Sequence, residues 1–179
     1  SPNPTPEKSA GNSTRINPTT ESSPENPFDI SIALPRTNFK IGDEFKFTLQ
    51  ATKECNFRVY TLDANDQETA HDPTKKNEYG IQNSAFMGTQ TLKAGELRTV
   101  PIPGAPGRAV IQGPAGEYHI FAVCGRDDLA EIGIVDERLQ DASRKSKRNF
   151  KFIFEEELEG INRNLLAKAA VKYTVVADK

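Results

Sequence analysis

A chain of 179 residues is long enough for one domain with a real core, but 36% hydrophobic and 27% charged residues is lean for a wholly packed chain, so part of it is expected not to pack. A formal net charge of -2 leaves no global field to draw the protein to nucleic acid or to an anionic membrane. No apolar run approaches the roughly 18 residues that span a bilayer, so a soluble chain is expected.

The lean part is at the start. Residues 1–27 hold six of the twelve prolines and no aromatic residue, with almost nothing to bury, and they read as a disordered or polyproline-like tether. The chain opens at Ser1 rather than Met, as expected either of a processed mature form, from which a signal peptide has been removed, or of an expressed piece of a longer chain. Asn12, Ser13 and Thr14 match the N-glycosylation pattern, which in a bacterial protein carries no weight.

From Phe28 the character changes, and one domain over residues 28–179 is expected. Phe28, Ile30, Ile32 and Leu34 fall on one face of a period-two strand that Pro35 ends. A Gly-Asp turn follows, and then Phe45, Phe47, Leu49 and Ala51 alternate with polar residues as a half-buried antiparallel strand. "NFRVYTL" is a third strand closed by the turn-rich "DANDQ". Residues 66–96 read as a long polar excursion with a short strand near Thr89 to Leu92, and long ordered loops are often functional. "LKAGELRTVPIPG" predicts a turn and a strand ending at Pro101. "GPAGEYHIFAVCG" predicts a central strand, apolar on both faces, with Tyr118, Ile120, Ala122 and Cys124 opposite His119, Phe121 and Val123.

Near Val135 the period shifts, and "VDERLQDASRKSKRN" predicts a helix. "FKFIFEEE" then alternates Phe150, Phe152 and Phe154 against Lys151 and Ile153, which reads as a strand, and "AAVKYTVVAD" as a terminal one. Seven to nine strands with one or two helices in the C-terminal third define a mainly β fold, an antiparallel β-sandwich of immunoglobulin-like architecture.

Enzymatic chemistry finds little purchase. A hydrolytic triad needs a base, usually His, and the chain has only His71, beside Asp72 in a loop, and His119, within an apolar strand. Two isolated histidines make no metal site, and Gly104, Gly107, Gly113 and Gly116 lack the Walker and Rossmann contexts, so they read as turns. Asp63 with Asp66, and Asp127 with Asp128, read as turn or cap residues rather than calcium ligands. "RKSKRNFK" carries five cations in eight residues but is offset by "EEELE", which fits a solvated helix end. Cys55 and Cys124 are either one disulfide joining two strands in an oxidising compartment or two buried thiols; the burial habit of free cysteine tilts toward thiols.

Several of these stretches share a resemblance. "NFKIGDEFKFTL", "CNFRVYTLDAND", "LKAGELRTVPIP" and "GPAGEYHIFAVCG", with "SRKSKRNFKF" and "KAAVKYTVV" near the end, are similar to a bacterial family known as a domain of unknown function, attached to caspase-like, kinase or envelope-protein regions. The resemblance implies a β-sandwich accessory module with no catalytic residues to carry over, and it favours the cell envelope.

The expected function is therefore a non-catalytic protein-interaction or structural module of an envelope or periplasmic protein, without cofactor, metal or nucleic-acid partner; a cytoplasmic location is the alternative. His71, Tyr79, Phe86 and Met87 are the candidate binding residues for a protein partner, because large apolar side chains in a polar loop need either a core or a partner. A small-ligand or carbohydrate binder, with Tyr79 and Tyr118 lining a pocket, is the alternative function.

Overall fold

The computed structural model describes residues 27–126, 129–146 and 148–177. Of the expected tether only Pro27 falls within these ranges, and Asp127 with Asp128 lies outside them.

In chain order the elements are β1 (Ile30–Ala33), β2 (Asn38–Lys40), β3 (Phe47–Ala51), β4 (Cys55–Leu62), β5 (Glu68–His71), α1 (Ser84–Met87), β6 (Thr91–Leu92), β7 (Leu97–Val100), β8 (Gly116–Gly125), α2 (Leu129–Lys145), α3 (Phe150–Leu158) and β9 (Leu166–Val176). The fold is mainly β, with two sheets and three helices among the described residues. One sheet has the order β1-β3-β7; the other runs β2-β9-β8-β4-β5, with β6 also paired to β4. All pairings between strands are antiparallel except β2 with β9, which is parallel.

β4 and β8 are the centre of the larger sheet, and both are covered on both faces, as the two-sided apolar pattern of β8 predicts. One face carries Phe57, Val59, Ile120 and Ala122 into a core shared with Ile30, Ile32, Leu49 and Ala51 of the smaller sheet. The other carries Tyr60, Leu62, Phe121 and Val123 against α2 and α3. A third, small cluster joins Phe39 of β2, Ile111 and Val175 of β9.

The segment expected to be a strand at Phe150 is instead α3. A period of two puts Phe152 inside and Ile153 outside; a helical period buries Phe150, Ile153, Phe154 and Leu158 together and leaves Phe152 54% exposed. Asn149 supports the helical choice locally, since its side-chain oxygen accepts from the Lys151 N–H at 2.8 Å as an N-cap. Each fully buried aliphatic or aromatic side chain gains about 2 kcal/mol over exposure, which outweighs the strand propensity of three phenylalanines. α2 begins six residues before Val135, because Ile132 extends the buried stripe of Val135 and Leu139 by a turn. The 66–96 excursion is more ordered than its polarity implies, holding β5, α1 and β6.

Cys55 and Cys124 form a disulfide, with both residues almost fully buried and Cα atoms 5.5 Å apart. The bond joins neighbouring strands of one sheet: Phe57 faces Cys124 in the β4–β8 register, placing Cys55 diagonally opposite. The thiol reading is thereby corrected. Spacing in sequence could not reveal that register, which is set by hydrogen bonding along β4 and β8.

Candidate recognition loop

The chain between β5 and β7 forms a projecting loop whose tip is braced independently of its root. At the tip, the Asn77 side-chain oxygen accepts from the N–H groups of Tyr79 at 2.9 Å and Ile81 at 3.0 Å. The Asn77 N–H donates to the Ile81 carbonyl at 2.8 Å, and the Gly80 N–H to the Asn77 carbonyl at 3.0 Å. Gly80 sits at φ +80°, where a side chain would be strained. Lys76 and Gln82 close the small ribbon as an isolated bridge. The tip thus uses an Asx turn to hold Tyr79, which is 78% exposed, and Ile81, which is 40% exposed.

The root is fixed by a buried ion pair. Asp72 Oδ1 lies 3.3 Å from Arg58 Nε and accepts from both the N–H (2.8 Å) and the hydroxyl (2.6 Å) of Thr74. The Asp72 carbonyl accepts from Asn83 Nδ2 at 2.9 Å, tying the outgoing strand of the loop to the incoming one. Arg58 Nη1 donates to Gln90 Oε1 at 2.8 Å and to the Phe57 carbonyl at 2.9 Å. On the return limb Arg98 donates to the carbonyls of Met87 (2.8 Å), Thr89 (2.7 Å) and Thr91 (2.9 Å), and its Nε to Glu96 at 2.7 Å. Gly88, at φ +78°, is required there: an added Cβ would lie 2.7 Å from Arg98 Nη1.

The four candidate binding residues separate. Met87, the end of α1, is buried in the core between the sheets, and Phe86 packs against that core. His71 closes β5 half-buried, its Nε2 3.0 Å from the Thr61 hydroxyl, and burial holds its pKa below the ordinary histidine value. Tyr79 alone of the four is presented to solvent, its phenol held above its usual pKa by hydrogen bonding to, and the charge of, Glu78. Tyr118, the proposed second wall of a pocket, stacks on Tyr173 with centroids 5.4 Å apart and donates to the Pro114 carbonyl at 2.6 Å.

Residue patterns alone missed Arg58, Asn77, Ile81, Asn83 and Arg98. Two of them carried a signal: Asn77 followed by Gly80 is an Asx-turn pattern, and Arg58 is the one charge in a strand that is mostly apolar, which calls for a buried partner.

A second buried polar group lies between β4 and α2. The Tyr60 hydroxyl donates to Asp136 Oδ1 at 2.5 Å, Gln140 Nε2 approaches the same carboxylate at 3.3 Å, and Ser143 donates to Glu68 at 3.0 Å. Burial first, then the negative charge of Asp136, drives the Tyr60 pKa far above the ordinary phenol value, and burial also raises Glu68. These groups satisfy one another and anchor α2 on the sheet.

The two sheets, the braced loop and the disulfide-bonded central strand together define a mainly β domain. The chain belongs to the family described as a domain of unknown function, DUF4384, which it matches over residues 38–128. That match includes the whole 72–92 loop. No curated protein matches the chain. Among solved structures it is similar to one described as "AvmM Catalyzes Macrocyclization in Alchivemycin A Biosynthesis", at 11% identity, over 86% of this chain and 91% of that one, with a TM-score of 0.35. A score that low says nothing about activity.

Proposed function

We propose that this is a non-catalytic recognition module of a bacterial cell-envelope protein, a β-sandwich in which the 72–92 loop docks a protein partner through Tyr79 and Ile81. The observation that carries the reading is Tyr79 itself: a tyrosine 78% exposed on a tip held by four hydrogen bonds around Asn77. A rigid amphipathic ring loses little conformational freedom on contact, which is why tyrosine dominates binding hot spots. Bracing of the root by Arg58–Asp72 removes a further ordering cost. The buried Cys55–Cys124 disulfide supports an oxidising compartment, and so the envelope over the cytoplasm.

The test is site-specific photo-crosslinking from position 81, followed by capture with Tyr79→Ala. A discrete crosslinked partner, lost in Tyr79→Ala while the melting temperature is unchanged, supports the reading. Equal capture by wild type and variant sinks it.

A small-ligand role is the second reading, favoured by one cavity of about 330 Å³ lined by Phe28, Leu158, Ile161 and Leu166 with Glu159 and Arg163. That volume is at the low end for small-molecule sites. A ligand bound there must raise the melting temperature, and a panel of small molecules that leaves it unmoved removes this reading.

A further inference from the structure

We propose that the cavity where α3, β1 and β9 meet binds a free apolar α-amino acid, recognised as a zwitterion with an aliphatic side chain. The inference rests on the small-ligand reading of that cavity and names its ligand class; it does not depend on the 72–92 loop.

The cavity forms where α3 ends and the chain turns into β9. α3 stops at Leu158, and Gly160, at φ +87°, lets the backbone reverse. The Asn162 side-chain oxygen then accepts from the Asn164 N–H at 2.8 Å, and its carbonyl accepts from the N–H groups of Leu165 at 2.9 Å and Leu166 at 3.1 Å. The facing wall is Phe28 and Asp29, just before β1. Thr52 pins it: its hydroxyl accepts from the Asp29 N–H at 2.9 Å and donates to the Pro27 carbonyl at 2.8 Å. The Arg126 guanidinium lies over the Phe28 ring at 5.8 Å from its centroid. Both walls are set before any ligand arrives, which lowers the ordering cost of binding.

The lining is apolar inside and charged at the rim. Phe28 and Leu158 are buried, and Ile161 and Leu166 are half-buried beside them, so an aliphatic group seated there removes further apolar surface from water. Glu159 and Arg163 stand on the rim, four positions apart around the Gly160 turn, and both are exposed. They do not pair with each other, and neither side chain bonds to any other described residue. Lys168, the other cation of the lining, is already 3.3 Å from Glu155.

These charges select the ligand. An anion would meet Glu159 and Asp29, and a cation would meet Arg163; a zwitterion satisfies both signs. The Arg163 guanidinium offers a planar fork that matches a carboxylate. Glu159 offers its carboxylate to the ammonium, and the C-terminal end of α3 adds the partial negative charge of its last carbonyls.

Size narrows the class. At about 30 Å³ per water-sized atom, a cavity of about 330 Å³ holds on the order of ten non-hydrogen atoms, which is the size of leucine or isoleucine. Glycine would leave the apolar lining uncovered. With so few atoms and an exposed rim, the dissociation constant is on the order of 0.1–1 mM.

Isothermal titration with leucine reads the site. Leucine should bind, and leucinamide, N-acetylleucine and glycine should each bind about tenfold more weakly, for want of the carboxylate, the ammonium and the side chain in turn. Arg163→Gln should weaken leucine about tenfold and leave leucinamide unchanged, while Glu159→Gln should weaken leucine and leave N-acetylleucine unchanged. Both variants should melt like wild type without ligand, and a folding defect would not follow the missing ligand group in this way. No binding of leucine up to about 10 mM overturns the proposal. So does leucinamide bound as tightly as leucine, or an Arg163→Gln variant with unaltered leucine affinity. Where leucine fails but another small molecule raises the melting temperature, the amino-acid assignment falls and the small-ligand reading stands; where nothing binds, both fall.

Discussion

Tyr60→Phe isolates one buried hydrogen bond and exposes its energetic sign at two pH values. Tyr60 is fully buried in β4, with its ring 5.3 Å from that of Phe150, and its hydroxyl reaches the buried Asp136 at 2.5 Å. The substitution keeps the ring and its packing and removes only the donor. Asp136 is then left with Gln140 at 3.3 Å as its remaining side-chain donor, so the cost at neutral pH is that of a hydrogen bond to a charged group, about 2 kcal/mol. Raising the pH shrinks that difference. Tyr60 keeps its proton in the folded protein because burial and the Asp136 charge push its pKa up, whereas the unfolded chain loses it near pH 10. Wild-type stability is therefore fully present below about pH 10 and falls by roughly 1.4 kcal/mol by pH 11, a loss the variant does not share at this site. Tyr173, pushed up to about 12 mainly by burial, imposes its own alkaline loss on both proteins. Urea unfolding at neutral pH and at about pH 11 should show the gap narrowing from about 2 to about 0.6 kcal/mol. A gap below about 0.5 kcal/mol at neutral pH, or one that does not narrow, would refute a dry, carboxylate-bound Tyr60.

Three further outcomes are expected. Cys55→Ala with Cys124→Ala removes a crosslink spanning 69 residues and should lower stability by about 4 kcal/mol by loop entropy; a loss under about 1 kcal/mol in urea unfolding would show that the bridge constrains little. Gly88→Ala forces a side chain into positive φ and into the Arg98 guanidinium, so it should cost about 1–3 kcal/mol and open the 84–92 limb to limited proteolysis, with unchanged protease resistance counting against the clamp. Burial depresses the His71 pKa, so its contribution is fully present above about pH 6.5 and is lost as the pH falls, because the unfolded chain takes up the proton first; His71→Gln should flatten the acid limb of a stability profile between about pH 7 and 5, and an identical limb would contradict the assignment.

What could be read from the residues depended on whether the determining contact was local. The strand over Gly116–Gly125 was legible because its apolar pattern covers both faces, which only a central position rewards. α3 was not, because Phe150, Phe152 and Phe154 satisfy a period of two as well as a helix does until α2 supplies a surface for Ile153. β2 was invisible for the opposite reason: three residues carry no period, and Phe39 is ordered by Tyr173 and Val175, more than 130 positions away. Of residues 66–96 the residue pattern took β5 into the excursion although it pairs with β4, and it did not tell which apolar side chains of the 72–92 loop stay outside. α1 turns Phe86 and Met87 inward, and the Asn77 turn leaves Tyr79 out; sequence spacing treats all three alike.

The family match stops before the strand that completes the larger sheet. The matched residues end at 128, yet β9 lies between β2 and β8 in the sheet and is the strand that pairs with β2. Phe39 packs edge-on against Tyr173 at 5.4 Å, so the start of the matched segment gains its partner only when the chain returns as β9. The connection that makes this return possible is the α2–α3 hairpin, which also covers the outer face of β4 and β8. A covering hairpin is constrained on its inner stripe, where Ile132, Leu139 and Phe154 fill the core, and free on its outer one. The loop that holds Tyr79 is rooted through Asp72 in Arg58 of β4 and through Arg98 in β7, and none of its bracing bonds reaches α2 or α3. A change to the outer residues of the hairpin therefore has no bonded route, among the described residues, to the loop tip, and Tyr79 stays in place when they are altered.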